Sequence, residues 1–163
     1  MRNRTQKLAR LAILISFAMI LSYLESRIPT FVAIPGVKVG LANIAVFFAL
    51  YRLGTKEAIT ISLVRVFLIS MLFGNPVSLV YSLMGALLSL SGMLLLKKWT
   101  PLSAVTVSVS GGILHNVGQI VAASVLLDTN VVVYYLPFLI LSGTIAGTAI
   151  GVVSALLIKR VKI

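Results

Sequence analysis

Long apolar runs, interrupted by charges or by glycine and proline, divide the chain into six candidate spans. They are Leu8 to Leu24, Val39 to Leu53, Lys56 to Phe73, Val77 to Leu96, Leu102 to Leu127 and Val131 to Ile158. None shows the strict alternation of a membrane strand, and unpaired backbone in hydrocarbon is too costly to leave such runs irregular. Each therefore predicts a helix, and the pattern as a whole predicts an all-α, polytopic membrane protein built as a six-transmembrane-helix bundle. The second run is short against the ~20 residues usually needed to cross a bilayer, and the third only approaches that length. Those two helices must start inside flanking loops or have their ends sheltered by protein. The last two runs are long enough to tilt or to project.

Composition agrees with the pattern. The chain has 163 residues and is 60% hydrophobic, with a mean hydropathy of +1.12, whereas soluble domains are roughly 45–50% apolar. Residues 1–163 are expected to form a single integral membrane domain, with only loops outside the bilayer. The formal net charge of +11 would suggest nucleic acid on a soluble surface, but here it is a topology signal, and no nucleic-acid partner is expected. Arg2, Arg4, Lys7 and Arg10 precede span one, Arg52 and Lys56 separate spans two and three, Lys97 and Lys98 separate four and five, and Lys159, Arg160 and Lys162 follow six. Only Arg27 and Lys38 fall in the other set of loops, and Arg65 lies inside a span. The positive-inside rule then places both termini in the cytoplasm of a multi-pass cell-membrane protein, with the segment PGVKVG outside. The basic start followed by an apolar run is also the outline of a signal peptide. Without a small-x-small cleavage site, Leu11 to Leu24 is expected to stay as the first helix.

Small residues recur at helical spacing. Gly143, Gly147 and Gly151 form a stripe in span six, beside Ser142, Ala146 and Ser154, and span four carries Ser78, Ser82, Gly85, Ser89 and Gly92. Such stripes let helix backbones approach closely in lipid, and packing within the bundle is the favoured reading for both. Span one offers Ala12 with Ser16 and Ala18 with Ser22. These pairs suit either internal packing or a docking face for a second membrane protein.

Polar residues inside spans are costly and raise a functional hypothesis. Arg65 stands halfway along span three, and His115 stands mid-way along span five, with Asn116 beside it and Gln119 one turn further on the same face. With this topology, Gln119 and Asn43 both fall in the outer half of their helices. Asn75 lies in the outer Gly74-Asn75-Pro76 turn, Tyr81 about one turn into span four, and Lys38 in the outer loop. Taken singly, each is a helix-to-helix bonding group. Their convergence at one depth, with an arginine at its floor, points to a ligand cavity. On that side the cations Lys38, Arg65 and Arg27 face only Glu25 and Asp128, each at a helix end, so the expected ligand is neutral or anionic.

The chemistry of catalysis is missing. The three acids, Glu25, Glu57 and Asp128, are dispersed, and no acidic Mg-diphosphate motif, HExxH motif, EF-hand loop or P-loop can be drawn. There is no cysteine, and His115 has no sequence neighbour for a nucleophilic triad. The expectation is a binding or transport protein rather than an enzyme, without a metal or cofactor.

PGVKVGLANI at 35–44, SLVRVFLISMLFGNP at 62–76, SLVYSLMGALLS at 78–89 and GGILHNVGQIVAA at 111–123 resemble the bacterial Gx transporter family. Its members are often labelled heptaprenyl diphosphate synthase component I. That family is in turn similar to the substrate-binding S components of energy-coupling factor (ECF) transporters, six-helix membrane proteins that capture a vitamin or related micronutrient from outside. The resemblance implies docking on a transmembrane T subunit driven by two ATPase subunits, through an AxxxA-like surface on the first helix, whose closest counterparts here are Ala12 with Ser16 and Ala18 with Ser22. It further implies Lys38 and Asn43 at a lid, with Arg65, Asn75, Tyr81, His115, Asn116 and Gln119 around the substrate. The family label implies the alternative of a membrane accessory subunit of a long-chain prenyl diphosphate synthase.

Overall fold

A computed structural model describes residues 2–27 and 40–161, the side chains of Arg2 and Asn3 aside. Among the described residues every regular element is helical: α1 (Arg2–Arg27), α2 (Asn43–Arg52), α3 (Thr55–Phe73), α4 (Pro76–Trp99), α5 (Ala104–Leu127) and α6 (Leu136–Arg160), with a 3-10 turn at Val131–Tyr135 leading into α6. Local chemistry sets several of these limits. Asn75 caps α4 by accepting the Ser78 N–H at 2.8 Å, the Ser78 hydroxyl returns to the Asn75 backbone, and Pro76 opens the first turn. Ser103 caps α5 through the Thr106 N–H. Gly40 turns the chain into α2 at φ +82°, a left-handed conformation that favours glycine, and its carbonyl accepts the Asn43 N–H at 2.8 Å.

Four helical segments are long and apolar enough to cross a membrane: Arg4–Arg27, Pro76–Trp99, Ala104–Leu127 and Val131–Arg160. The other two differ from the sequence expectation for physical reasons. The second element begins at Asn43 rather than Val39, and its 10 residues reach only about 15 Å. It is not exposed along a lipid-crossing length: every residue from Ile44 to Leu50 is buried. α3 has 19 residues but carries Lys56, Glu57 and Arg65. Val39, where the apolar run begins, lies outside the described residues.

The core is organised around α2. Phe47 and Leu50 are fully buried among Ala18 of α1, Ala58 and Ile61 of α3, Leu90 and Met93 of α4, and Val107 of α5. The outward faces are apolar instead of polar, with Ile13, Phe17, Met71, Leu72, Val125 and Phe138 exposed. So much exposed apolar surface on long helices requires lipid as its solvent.

Glycine sets the spacing of α4, α5 and α6, as internal packing of the two stripes requires. A Cβ on Gly112 of α5 would stand 2.4 Å from the Gly143 carbonyl oxygen of α6, and one on Gly147 would stand 2.7 Å from the Val109 Cα. On the other side of α5, a Cβ on Gly118 would meet the Met84 carbonyl oxygen at 2.6 Å. Contacts this close leave no room for side chains and bring backbones into direct dispersion contact. The buried Ser108 hydroxyl adds a bond to the Gly147 carbonyl at 2.8 Å.

One end of the bundle is basic. Lys7 of α1 pairs with Glu57 at the start of α3, Arg52 donates to the Val161 carbonyl at 2.8 Å, and Lys97 donates to the Leu50 carbonyl while lying 4.5 Å over the Tyr51 ring. Lys97 thus places a cation on the orphan carbonyls at the C-terminus of α2, where the helix dipole favours positive charge. At the opposite end Tyr23 packs on Phe73 with ring centroids 5.2 Å apart. α1 and α3 therefore run side by side in the same direction.

Candidate functional site

About three turns along α3 from the basic end stands Arg65, only 7% exposed. Its Nη2 donates to Asn43 Oδ1 at 3.2 Å. Asn43 is the first residue of α2, and its side chain is not spent on capping that helix, which frees its carbonyl oxygen for the guanidinium. Arg65 Nε is buried with no hydrogen-bond acceptor among the described residues.

A cavity of about 40 Å³ opens beside this pair, lined by Ser22, Glu25, Gly40, Asn43, Arg65, Val66, Ile69, Ser82 and His115. Five helices and the Gly40 turn contribute to it. Glu25, near the end of α1, is itself buried; its carboxylate accepts the Gly40 N–H, and it lines the same cavity as Arg65. The His115 ring lies against α4 where Gly85 has no side chain, since a Cβ there would stand 2.9 Å from Cε1. A second cavity of about 20 Å³ shares Gly40, Asn43 and His115 and continues between α5 and α6 along Gly112, Asn116, Gly143, Ala146 and Ile150. Among the described residues these spaces are water-sized, at about 40 and 20 Å³, against ~10–15 Å³ for one water and ~300–1,000 Å³ for most ligand sites, so a ligand there requires the helices or the neighbouring segment to move apart.

Of the residues singled out in the sequence, Asn43, Arg65 and His115 come together here. Asn116 adjoins them, but its Nδ2 donates to the Leu139 carbonyl at 2.7 Å, tying α5 to α6. Gln119 is buried one turn along α5 and lines neither cavity. Tyr81 is half-buried on α4, and Asn75 is exposed and engaged as the α4 cap; neither reaches the cavities. Lys38 lies outside the described residues. The two small pairs of α1 also separate: Ala12 and Ser16 are on the exterior, whereas Ala18 is in the core and Ser22 lines the larger cavity.

Sequence reasoning missed Glu25 and Ser82 as lining groups. Their signal was weak because Glu25 sits near Arg27 in a segment that reads as a loop margin, and Ser82 lies in a small-residue stripe that packing alone accounts for. Glu25 changes the electrostatics most. The cavity holds a buried acid beside the buried base, so its charges balance.

Together these observations define an all-helical membrane protein with a buried polar cluster, holding both an acid and a base, at the meeting point of its helices. Residues 14–157 match the family described as heptaprenyl diphosphate synthase component I, and the chain belongs to that family. No curated protein and no solved structure matches it.

Proposed function

We propose that the chain is a ligand-binding protein of the bacterial cell membrane, with six membrane-embedded helices and both termini cytoplasmic, that captures a small polar molecule from the outer side without transforming it. The observation that carries this reading is the Arg65 guanidinium, held by Asn43 in a cavity shared with Glu25 and His115. A charge kept this deep is expensive and is retained where it recognises something. Because Glu25 and Arg65 offset one another, a ligand neutral overall, with both donor and acceptor groups, fits better than a simple anion. Uptake in the manner of an ECF S component follows from the sequence resemblance. A T subunit would dock on the Ala12 and Ser16 face, powered by two ATPase subunits.

A second reading is favoured by the family's description, which supports it more directly than it supports transport. In that reading the chain is the membrane accessory subunit of a heptaprenyl diphosphate synthase, and its partner is a soluble second component.

Native mass spectrometry of protein extracted from its own membranes tests the first reading. A retained small molecule is expected, falling about tenfold in Arg65→Lys, which keeps the charge beside Glu25 but loses the guanidinium fork. Absence of any retained molecule, or equal retention in the variant, overturns it. Copurification with a prenyl synthase, and altered product length when this chain is deleted, would instead establish the second.

A further inference from the structure

Another concavity lies at the basic end, away from the polar cluster. It offers about 310 Å³ between α1 and the α2–α3 turn, open to the outside, and is lined by Gln6, Lys7, Arg10, Arg52, Leu53 and Glu57. Cations from two separate elements converge on it. The Glu57 carboxylate is engaged by Lys7, and Arg52 is fixed at the rim by its bond to the Val161 carbonyl. Three positive groups and one negative group leave the lining with a surplus of positive charge. Guanidinium groups present planar forks that suit phosphate oxygens.

Arg10 also begins a continuous apolar path. Ile13, Phe17, Ile20 and Leu24 follow it at alternating three- and four-residue steps, so they share its face of α1. All four are exposed. A basic concavity at the helix end and an unfilled apolar stripe leading away from it match the two parts of an amphiphile, a phosphate head and a hydrocarbon tail.

We infer that this cavity binds the phosphate or diphosphate headgroup of a membrane amphiphile whose chain lies along Ile13, Phe17, Ile20 and Leu24. The site requires only that this end of the bundle sit at headgroup depth. It is independent of what occupies the Arg65 cavity, so failure of one assignment leaves the other standing.

The test uses the full chain in detergent and native mass spectrometry with four probes: phosphatidylglycerol, phosphatidylcholine, a long-chain prenyl diphosphate and inorganic diphosphate. One tightly held adduct is expected with phosphatidylglycerol or with the prenyl diphosphate, and the better retained of the two identifies the source of the phosphate. Retention should fall about fivefold in Arg10→Gln, by the usual contribution of one cation near an anionic headgroup, and be largely recovered in Arg10→Lys. Arg10 is an exposed side chain, so its replacement leaves the fold intact, which an unchanged thermal transition would verify. Retention of neither phosphatidylglycerol nor the prenyl diphosphate above phosphatidylcholine, or an unchanged adduct in Arg10→Gln, overturns the assignment. Inorganic diphosphate bound as tightly as the tailed probes overturns it too, because the stripe would then contribute nothing.

Discussion

Arg65 is the residue whose environment most constrains this molecule. A buried cation beside a buried carboxylate is costly to break from one side, because removing one partner leaves the other charge uncompensated. Arg65→Met should therefore destabilise the protein by about 3–5 kcal/mol, whereas Arg65→Met combined with Glu25→Gln should recover a large part of that loss. The readout is a double-mutant cycle from reversible unfolding in mixed micelles, and additive effects of the two substitutions would show that the charges do not act on one another. Arg65, Asn43 and His115 were legible in the sequence because a polar residue inside an apolar run is too costly to face lipid and must turn inward to the bundle. Glu25 was not, since placing an acid near a helix end inside a cavity depends on how the chain returns at Gly40. Asn75 was legible as polar, but Asn-Pro with serine three residues after the asparagine is first a helix-start signature, and capping is the work it does here.

The helices themselves were largely legible, because a long apolar run has no other stable form in lipid. The status of α2 was not. Its apolar run reads like a span, and only the packing of α1, α3 and α6 around it reveals that the run is apolar because protein surrounds it. The glycine stripes were legible as close contacts but not as to which helix they face; α5 turns out to be the shared partner, with α4 on one side and α6 on the other. This arrangement predicts an asymmetric response to one added methyl or larger group. Gly112→Ala, whose Cβ would lie 2.4 Å from the Gly143 carbonyl oxygen, should cost about 1–3 kcal/mol through overpacking. Ala149→Leu, on the exposed face of α6, should stay within about 0.5 kcal/mol of the parent. Unfolding titrations in mixed micelles measure both, and similar effects at the two positions would rule out α5–α6 contact as the source of the glycine requirement.

At the scale of the whole molecule, charge and packing bear on the same question of orientation. The Lys7–Glu57 pair and the Arg52 bond to Val161 bring the start of α1, the α2–α3 turn and the end of α6 to one end of the bundle, and that end carries the basic residues. In the orientation proposed above, that end faces the cytoplasm, as the positive-inside rule expects. The chain has no cysteine, so single replacements can be labelled without background. In right-side-out spheroplasts treated with a membrane-impermeant maleimide, Asn130→Cys, between α5 and α6, should react directly. Thr5→Cys, Thr55→Cys and Leu102→Cys should react only after permeabilisation. Labelling of Thr5→Cys in intact spheroplasts would reverse the orientation. Labelling of Thr55→Cys alone would instead separate the α2–α3 turn from the end of the bundle that holds Lys7, contradicting the packing that builds the basic cavity.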